Sequence, residues 1–409
     1  MRGADRVFLE ICEMYPDADV FTPIYHEAGT EGRLAGRAVH TSFLQRLRPT
    51  SRTFRPLLPL YPAAIESFDL SGYDLVISSS SAWAHAVICD EDSVHLCYCH
   101  NPFRYAWNER RRAIEERHVP LARAALTGLF RRWRMWDWQA AQRVDRYLTN
   151  SRTTQGRIQA YFGRESTVVH PPVDTARFRP QQPLGRGAQA DRERRRAARS
   201  PIGRAPDQRI SAEHRSHYVV LSELVSHKRI EDAVLAFNSL GRPLVVVGDG
   251  PDARRLRRLA APNVRFVGRA ADREVERLLA TCRAFVLTSV EEFGIAAVEA
   301  QAAGRPVIAR RAGGALETVI EGRTGRFYEG GARELAAAVE EFDDAAIDPS
   351  ACVQNAARFD RARFREAFSA AVDELLDERS GERTDDVGRR RLRKSRARGL
   401  YGLPSRSAP

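Results

Sequence analysis

Little in this 409-residue chain points to a membrane span, a metal centre or a covalent nucleophile. No apolar run approaches the roughly 20 residues that a transmembrane helix needs, and no signal-peptide pattern opens the chain. The six cysteines, Cys12, Cys89, Cys97, Cys99, Cys282 and Cys352, show no zinc spacing. They read as mostly buried thiols of a reducing compartment. No His/Asp/Glu cluster has metal-ligand spacing, so no metal site is expected. Asp17-Ala-Asp19 mimics a metal-binding Asp-x-Asp, but it precedes a strand and is read as a turn. No serine elbow and no Walker loop appears. Gly248-Asp-Gly250 lacks the third glycine of a dinucleotide loop and reads as a plain βα turn.

The charge that is present lies outside the periodic segments. The formal net charge is +12. Residues 186–209 hold eight arginines against three acids, and residues 389–398 hold seven Lys/Arg and no acid. The rest of the chain is formally neutral, so nucleic acid is not an expected partner. Polybasic stretches of this kind suit an anionic membrane surface instead.

Taken in order, the chain predicts two doubly wound α/β domains. Residues 1–178 form the first. It opens on a helical pattern (Val7, Leu9, Ile11, Cys12) where such a domain normally has a buried strand, so it is read as lacking its first strand. Strands are expected at Asp19–Thr22, Tyr73–Ser78, Ser93–Cys99, Tyr147–Ser151 and Ser166–His170. A long helix is expected over 121–145, with Leu129, Trp133, Trp136, Ala140 and Val144 facing the core. That leaves Arg131, Arg132, Arg134 and Trp138 on other faces. Residues 179–215 lose apolar periodicity and read as a disordered, Arg-rich linker. Residues 216–358 alternate regularly between strand and helix. A last helix lies within 359–378, over Ala362–Leu376, and a basic disordered tail is expected over 379–409.

One stretch of the second domain concentrates the chemistry. Thr288-Ser-Val-Glu-Glu-Phe-Gly-Ile-Ala-Ala-Val-Glu299 reads as strand end, tight turn and helix. Glu291 and Glu299 bracket the turn, at most about 12 Å apart along a helix. That exceeds the roughly 5–9.5 Å of a glycosidase acid/base pair. Two acceptors flanking a helix N-terminus suit a ligand with a polyol at each end and an anion between. Lys228, after a strand end in the same domain, is placed to hold phosphate charge. Arg269 also follows a strand end and is either a cleft or a surface residue. In the first domain His100 follows a strand, where open α/β sheets place ligands, within His100-Asn-Pro-Phe-Arg-Tyr-Ala-Trp107.

Glu291-Glu-Phe-Gly-Ile-Ala-Ala-Val-Glu299 with Ala300-Gln-Ala-Ala-Gly-Arg-Pro-Val-Ile308 resembles the Glu-x7-Glu motif of family 4 retaining glycosyltransferases of GT-B fold. Gly313-Gly-Ala-Leu-Glu-Thr-Val319 and the block Cys97–Trp107 are similar to bacterial mannosyltransferases of surface-polysaccharide synthesis. The resemblance covers residues 1–178 and 216–370. It implies two Rossmann-like domains facing a cleft; the expected placement, cytoplasmic and peripheral on the inner face of the cell membrane, comes instead from the thiols and the polybasic stretches. It further implies transfer of a hexose, mannose above all, from GDP-mannose or another nucleotide-sugar to a lipid-linked or oligosaccharide acceptor, with neither cofactor nor metal. On that likeness Glu299 would bind the ribose and Glu291 the sugar hydroxyls. The N–H groups of Phe293, Gly294 and Ile295 would face sugar and diphosphate. Lys228 and Gly3 would touch the phosphates, and His100 the transferred sugar. The family usually has an arginine where this chain has Glu223, and only Arg2-Gly3-Ala4 remains of its Gly-Gly turn. The alternative is a catalytically impaired GT-B protein that binds nucleotide-sugar or partners without turnover.

Overall fold

The computed structural model describes residues 3–50, 53–115, 119–180 and 217–398, with residues 382–398 as backbone alone. The predicted disorder of the linker falls almost wholly outside the described residues, as do residues 399–409 of the tail.

The first domain enters on the helix Gly3–Met14, whose Val7, Leu9, Ile11 and Cys12 are buried as their spacing requires. Two short parallel strands follow, β1 (Val20–Thr22) and β2 (Val39–Thr41). A four-stranded parallel sheet comes next, in the order β3 (Leu75–Ser80), β4 (Val94–Cys99), β5 (Arg146–Thr149), β6 (Thr167–Val168). Every residue of β4 is buried, because helices cover both faces of this central strand. At the outer strand β3, Leu75, Val76 and Ile77 are only half-buried. Asp17 and Asp19 sit in the turn before β1, where Asp19 accepts a hydrogen bond from the Tyr73 hydroxyl just ahead of β3.

The long helix runs Pro120–Ala141 and buries Phe130, Trp133, Asp137 and Ala140. It ends before Val144, which is buried beyond the helix rather than on it. Trp138 and Met135 stand exposed with Arg131 and Arg132, whereas Arg134 lies over the Trp107 ring. Among the described residues no helix is long and apolar enough to cross a membrane.

The second domain is a six-stranded, all-parallel sheet. Its strands are β7 (Tyr218–Leu221), β8 (Leu244–Val247), β9 (Val264–Gly268), β10 (Phe285–Leu287), β11 (Val307–Arg310) and β12 (Gly325–Tyr328), in the order β12-β11-β10-β7-β8-β9. These are near-continuous Val/Ile/Leu/Phe runs, the mark of strands buried on both faces. The order reverses between β7 and β10, and doubly wound sheets bind ligands at the carboxyl ends of the strands flanking that point. Gly248 and Gly250 let the turn after β8 lie on the chain leaving β7. A Cβ at Gly250 would come 2.4 Å from the Leu224 carbonyl oxygen.

The last helix returns to the first domain. Phe364, Phe368, Ala371, Val372 and Leu375 pack into one core with Leu96, Tyr98 and Val169, and Arg361 and Arg365 pair with Glu10 on the first helix. This helix passes its predicted end at Leu376 and continues to Arg398. Disorder from residue 379 is thereby corrected. Arg, Glu and Leu are good helix formers, and no proline interrupts the run before Pro404.

Candidate functional site

Two exit loops meet at the reversal point. The loop after β7 carries a short turn, Ser226–Lys228, followed by Arg229 in the left-handed region and the helix Ile230–Leu240. The loop after β10 carries Glu291 and reaches Gly294, at φ 97°, which starts the helix Ile295–Ala302. Positive φ at this step is where glycine is needed. Lys228 Nζ donates to both carboxylate oxygens of Glu291, at 2.7 and 2.6 Å. Thr288 Oγ1 donates to the Lys228 carbonyl and fixes the two loops together. Burial pushes the Glu291 carboxyl up, but the Lys228 charge and hydrogen bond, with Ser289 and His227, outweigh it and hold Glu291 below the usual carboxylate range. The fold thus joins two predicted residues 63 positions apart.

Glu299 lies on the helix that Gly294 starts, and it is 3% exposed. Its carboxylate accepts from Arg6 Nη1 at 2.5 Å, an arginine of the opposite domain. Burial raises the Glu299 pKa above the ordinary value, and Arg6 and then Arg177 oppose that rise. Gly3 begins the helix that carries Arg6, and a Cβ there would sit 3.1 Å from Ile295 Cδ1. The first helix of one domain thus meets the donor-side helix of the other at two points, Gly3 with Ile295 and Arg6 with Glu299. Phe293 is buried against the His170 and Phe359 rings. Arg269 stands exposed just beyond β9 and joins none of these contacts among the described residues. Glu223 is likewise an exposed loop residue.

His100 is the first residue past β4. It is buried, with Nε2 2.9 Å from Ser79 Oγ at the end of β3. Burial alone lowers its pKa to about 4. A neutral imidazole near pH 7 serves as a hydrogen-bond partner, not as a proton store. Its ring signals are expected to show no titration between about pH 6 and 8 in an NMR pH series. A midpoint near the usual 6.5 would contradict the buried placement. The loop that follows is anchored: Trp107 Nε1 donates to buried Asp137 at 2.6 Å and its ring stacks on Tyr161.

The His100 loop and the donor-side turn are physically linked. Arg157 Nη1 donates to Asn101 Oδ1 at 2.6 Å and to Glu292 Oε1 at 3.1 Å, so one guanidinium spans both domains. Arg104 approaches Glu292 and His227, and Arg112 reaches Ser226. Arg104 lies in the His100–Trp107 loop that the sequence pattern singled out, but that pattern did not reveal Arg6, Ser79 or Arg157 as members of this site. Arg6 carried one signal, its place one turn after Gly3. The others carried none, being a few among many arginines and serines.

The second domain thus brings a cation, a helix N-terminus and two carboxylates together, and Arg157 ties that turn to the first-domain loop headed by the neutral His100. That suits a molecule with hydroxyls at both ends and phosphates between. Among the described residues no group of three metal-ligating side chains occurs.

Comparison with known proteins finds two family models that match this chain. Residues 1–177 match the family model "Glycosyltransferase Family 4", and residues 205–359 match "Glycosyl transferases group 1". The chain is 34% identical over 197 residues to a GDP-mannose-dependent alpha-(1-6)-phosphatidylinositol monomannoside mannosyltransferase of Mycobacterium tuberculosis, covering 43% of this chain and 46% of that protein. It is also 34% identical over 187 residues to a glycogen synthase of the same organism, covering 40% and 43%. The chain thus spans about half the length of these curated relatives, 46% of the first and 43% of the second. The crystal structure of Anabaena HepE in complex with UDP-glucose superposes with a TM-score of 0.63 at 20% identity, over 91% of this chain and 96% of that one.

Proposed function

The chain belongs to the family 4 glycosyltransferases of GT-B fold, and from that premise we propose that it is a retaining hexosyltransferase acting on a nucleotide-sugar. The transferred sugar is mannose from GDP-mannose, and the acceptor is a hydroxyl of a lipid-linked or oligosaccharide molecule. What carries this reading is the meeting of Lys228, Glu291 and the Gly294 turn at the strand-order reversal, linked to the His100 loop through Arg157. The mannosyl assignment draws support from the GDP-mannose-dependent relative, which shares under half of its length with this chain.

In the proposed reaction the bond from the anomeric carbon to the diphosphate oxygen breaks. The acceptor oxygen bonds to that carbon on the same face, and the acceptor proton passes to the departing phosphate oxygen. Lys228 and the first N–H groups of the helix Ile295–Ala302 stabilise the charge gathering on the diphosphate. Glu291 takes sugar hydroxyls and Glu299 those of the ribose. His100, neutral, holds the sugar from the other domain. Closure of the domains over the donor excludes water and limits hydrolysis.

Steady-state assay with GDP-mannose tests the assignment. Glu299→Ala is expected to raise the donor KM by about tenfold to a hundredfold, the equivalent of one or two hydrogen bonds to a charged group. Equal donor kinetics in the two proteins would sink the donor-site assignment.

A further inference from the structure

Arg6 stands out among the cleft residues because it belongs to the first domain yet closes on the innermost carboxylate of the second. Its guanidinium takes Oε1 of Glu299 at 2.5 Å. The Arg6 side chain is 38% exposed whereas that of Glu299 is 4% exposed, so the arginine comes to the buried acid from the open side. The helix that carries it is fixed at both ends. Gly3 abuts Ile295 at the N-terminus. Farther along, Glu10 and Glu13 are held by Arg361 and Arg365 of the last helix. Arg6 therefore reaches Glu299 from a braced support rather than a mobile tail.

We propose that Arg6 is a positioning residue for the donor nucleoside: it keeps Glu299 aimed and ionised for the ribose hydroxyls, and so makes donor affinity depend on the two domains lying together. The proposal rests on the donor-site reading given above. Its physical basis is the cost of a buried carboxylate. A hydroxyl pair is held far better by a carboxylate than by a neutral acid, because charge-assisted hydrogen bonds are roughly twice as strong as neutral ones. The charged groups facing Glu299 are Arg6 from the first helix, Arg177 from the segment joining the domains, and Asp272 at the start of the helix Asp272–Thr281. Arg177 is itself paired with Asp272 and Glu276, at 3.1 and 2.6 Å. Arg6 is thus the cation directly bonded to Glu299. With Arg6 gone, burial and Asp272 would drive the acid toward its neutral form.

The experiment measures GDP and GDP-mannose binding by titration calorimetry at about pH 6, 7 and 8, with wild type, Arg6→Gln and Arg6→Lys. Arg6→Gln is expected to weaken both ligands by at least about tenfold at pH 6, the equivalent of one unit in the acid's pKa. The deficit shrinks toward pH 8 as Glu299 regains its charge. Arg6→Lys, which restores a cation, binds within a few-fold of wild type at every pH. Arg6→Gln binding as tightly as wild type at pH 6 overturns the proposal. So does a loss of equal size at all three pH values, which is what a packing role alone would give. Failure of the wild type to bind either ligand overturns the donor-site reading itself, and is thereby distinguishable from failure of the Arg6 role.

Discussion

Lys228→Ala lowers turnover with the nucleotide-sugar by about 10²–10³-fold, the usual effect of removing one preorganised charge partner from a transition state. The binding of a free nucleoside, which lacks phosphate, changes little. Two features of the structure set this size. Lys228 is the cation of the second domain at the strand-order reversal, and its ammonium is already held in place by both oxygens of Glu291. Only two of the chain's 65 basic residues are lysines, and the other, Lys394, lies in the last helix. The same variant leaves Glu291 buried without its main partner. Glu291 is depressed below the ordinary 4.5, so the pair stabilises the fold fully above that value and ceases to do so as pH falls through the depressed one. The Tm difference between wild type and Lys228→Ala should therefore be largest near neutrality and narrow as the pH is lowered toward and below 4.5. Unchanged turnover would remove Lys228 from the leaving-group role. A Tm gap independent of pH would show that the ion pair does not carry the stability.

The legibility of this site in the sequence follows the range of the interactions. Strand and helix positions in the second domain were readable because buried parallel strands are short apolar runs bounded by turn residues, as at Leu244–Val247 and Gly325–Tyr328. The Gly294 turn was readable because one backbone step needs positive φ and the acids stand at fixed offsets around it. The end of the last helix was misjudged because its apolar face stops near Leu376, while the charged continuation keeps good helix formers. What the sequence could not place were partners chosen by tertiary geometry. Arg6 and Glu299 are 293 positions apart and Arg157 and Glu292 are 135 apart. In a chain this rich in arginine, composition gives no hint of which guanidinium closes on which acid. Arg269, left open between cleft and surface by its place after a strand, is exposed and joins none of the site's contacts among the described residues.

The backbone beneath the donor turn gives the sharpest steric test. Gly313 and Gly314 pass directly under Glu291 and Phe293. The Gly314 N–H donates to the Glu291 carbonyl at 2.9 Å. A Cβ at Gly314 would stand 2.3 Å from Phe293 Cα and 2.4 Å from its carbonyl oxygen. Carbon atoms rest about 3.5–4.0 Å apart, so Gly314→Ala must displace either its own turn, which leads into the short helix Ala315–Thr318, or the Phe293–Gly294 step. The two turns are tied by the Gly314 N–H to Glu291 carbonyl bond, so a shift at Gly314 is passed to the Glu291–Gly294 turn. Displacement there moves the first N–H groups of the helix Ile295–Ala302 and the carboxylate of Glu291 together. Gly314→Ala is therefore expected to weaken nucleotide-sugar binding more than about a hundredfold, since misplacing a preorganised site by about 1 Å costs that much. Far-UV circular dichroism should stay close to wild type. Gly322→Ala is the control, because Gly322 has φ 70° but open space around its Cβ position. It bears the backbone strain of about 1–2 kcal/mol without the clash, and its donor affinity should match wild type. If Gly314→Ala binds the donor as tightly as Gly322→Ala does, the glycine pair does not set the shape of the turn, and the helix N-terminus loses its claim on the diphosphate.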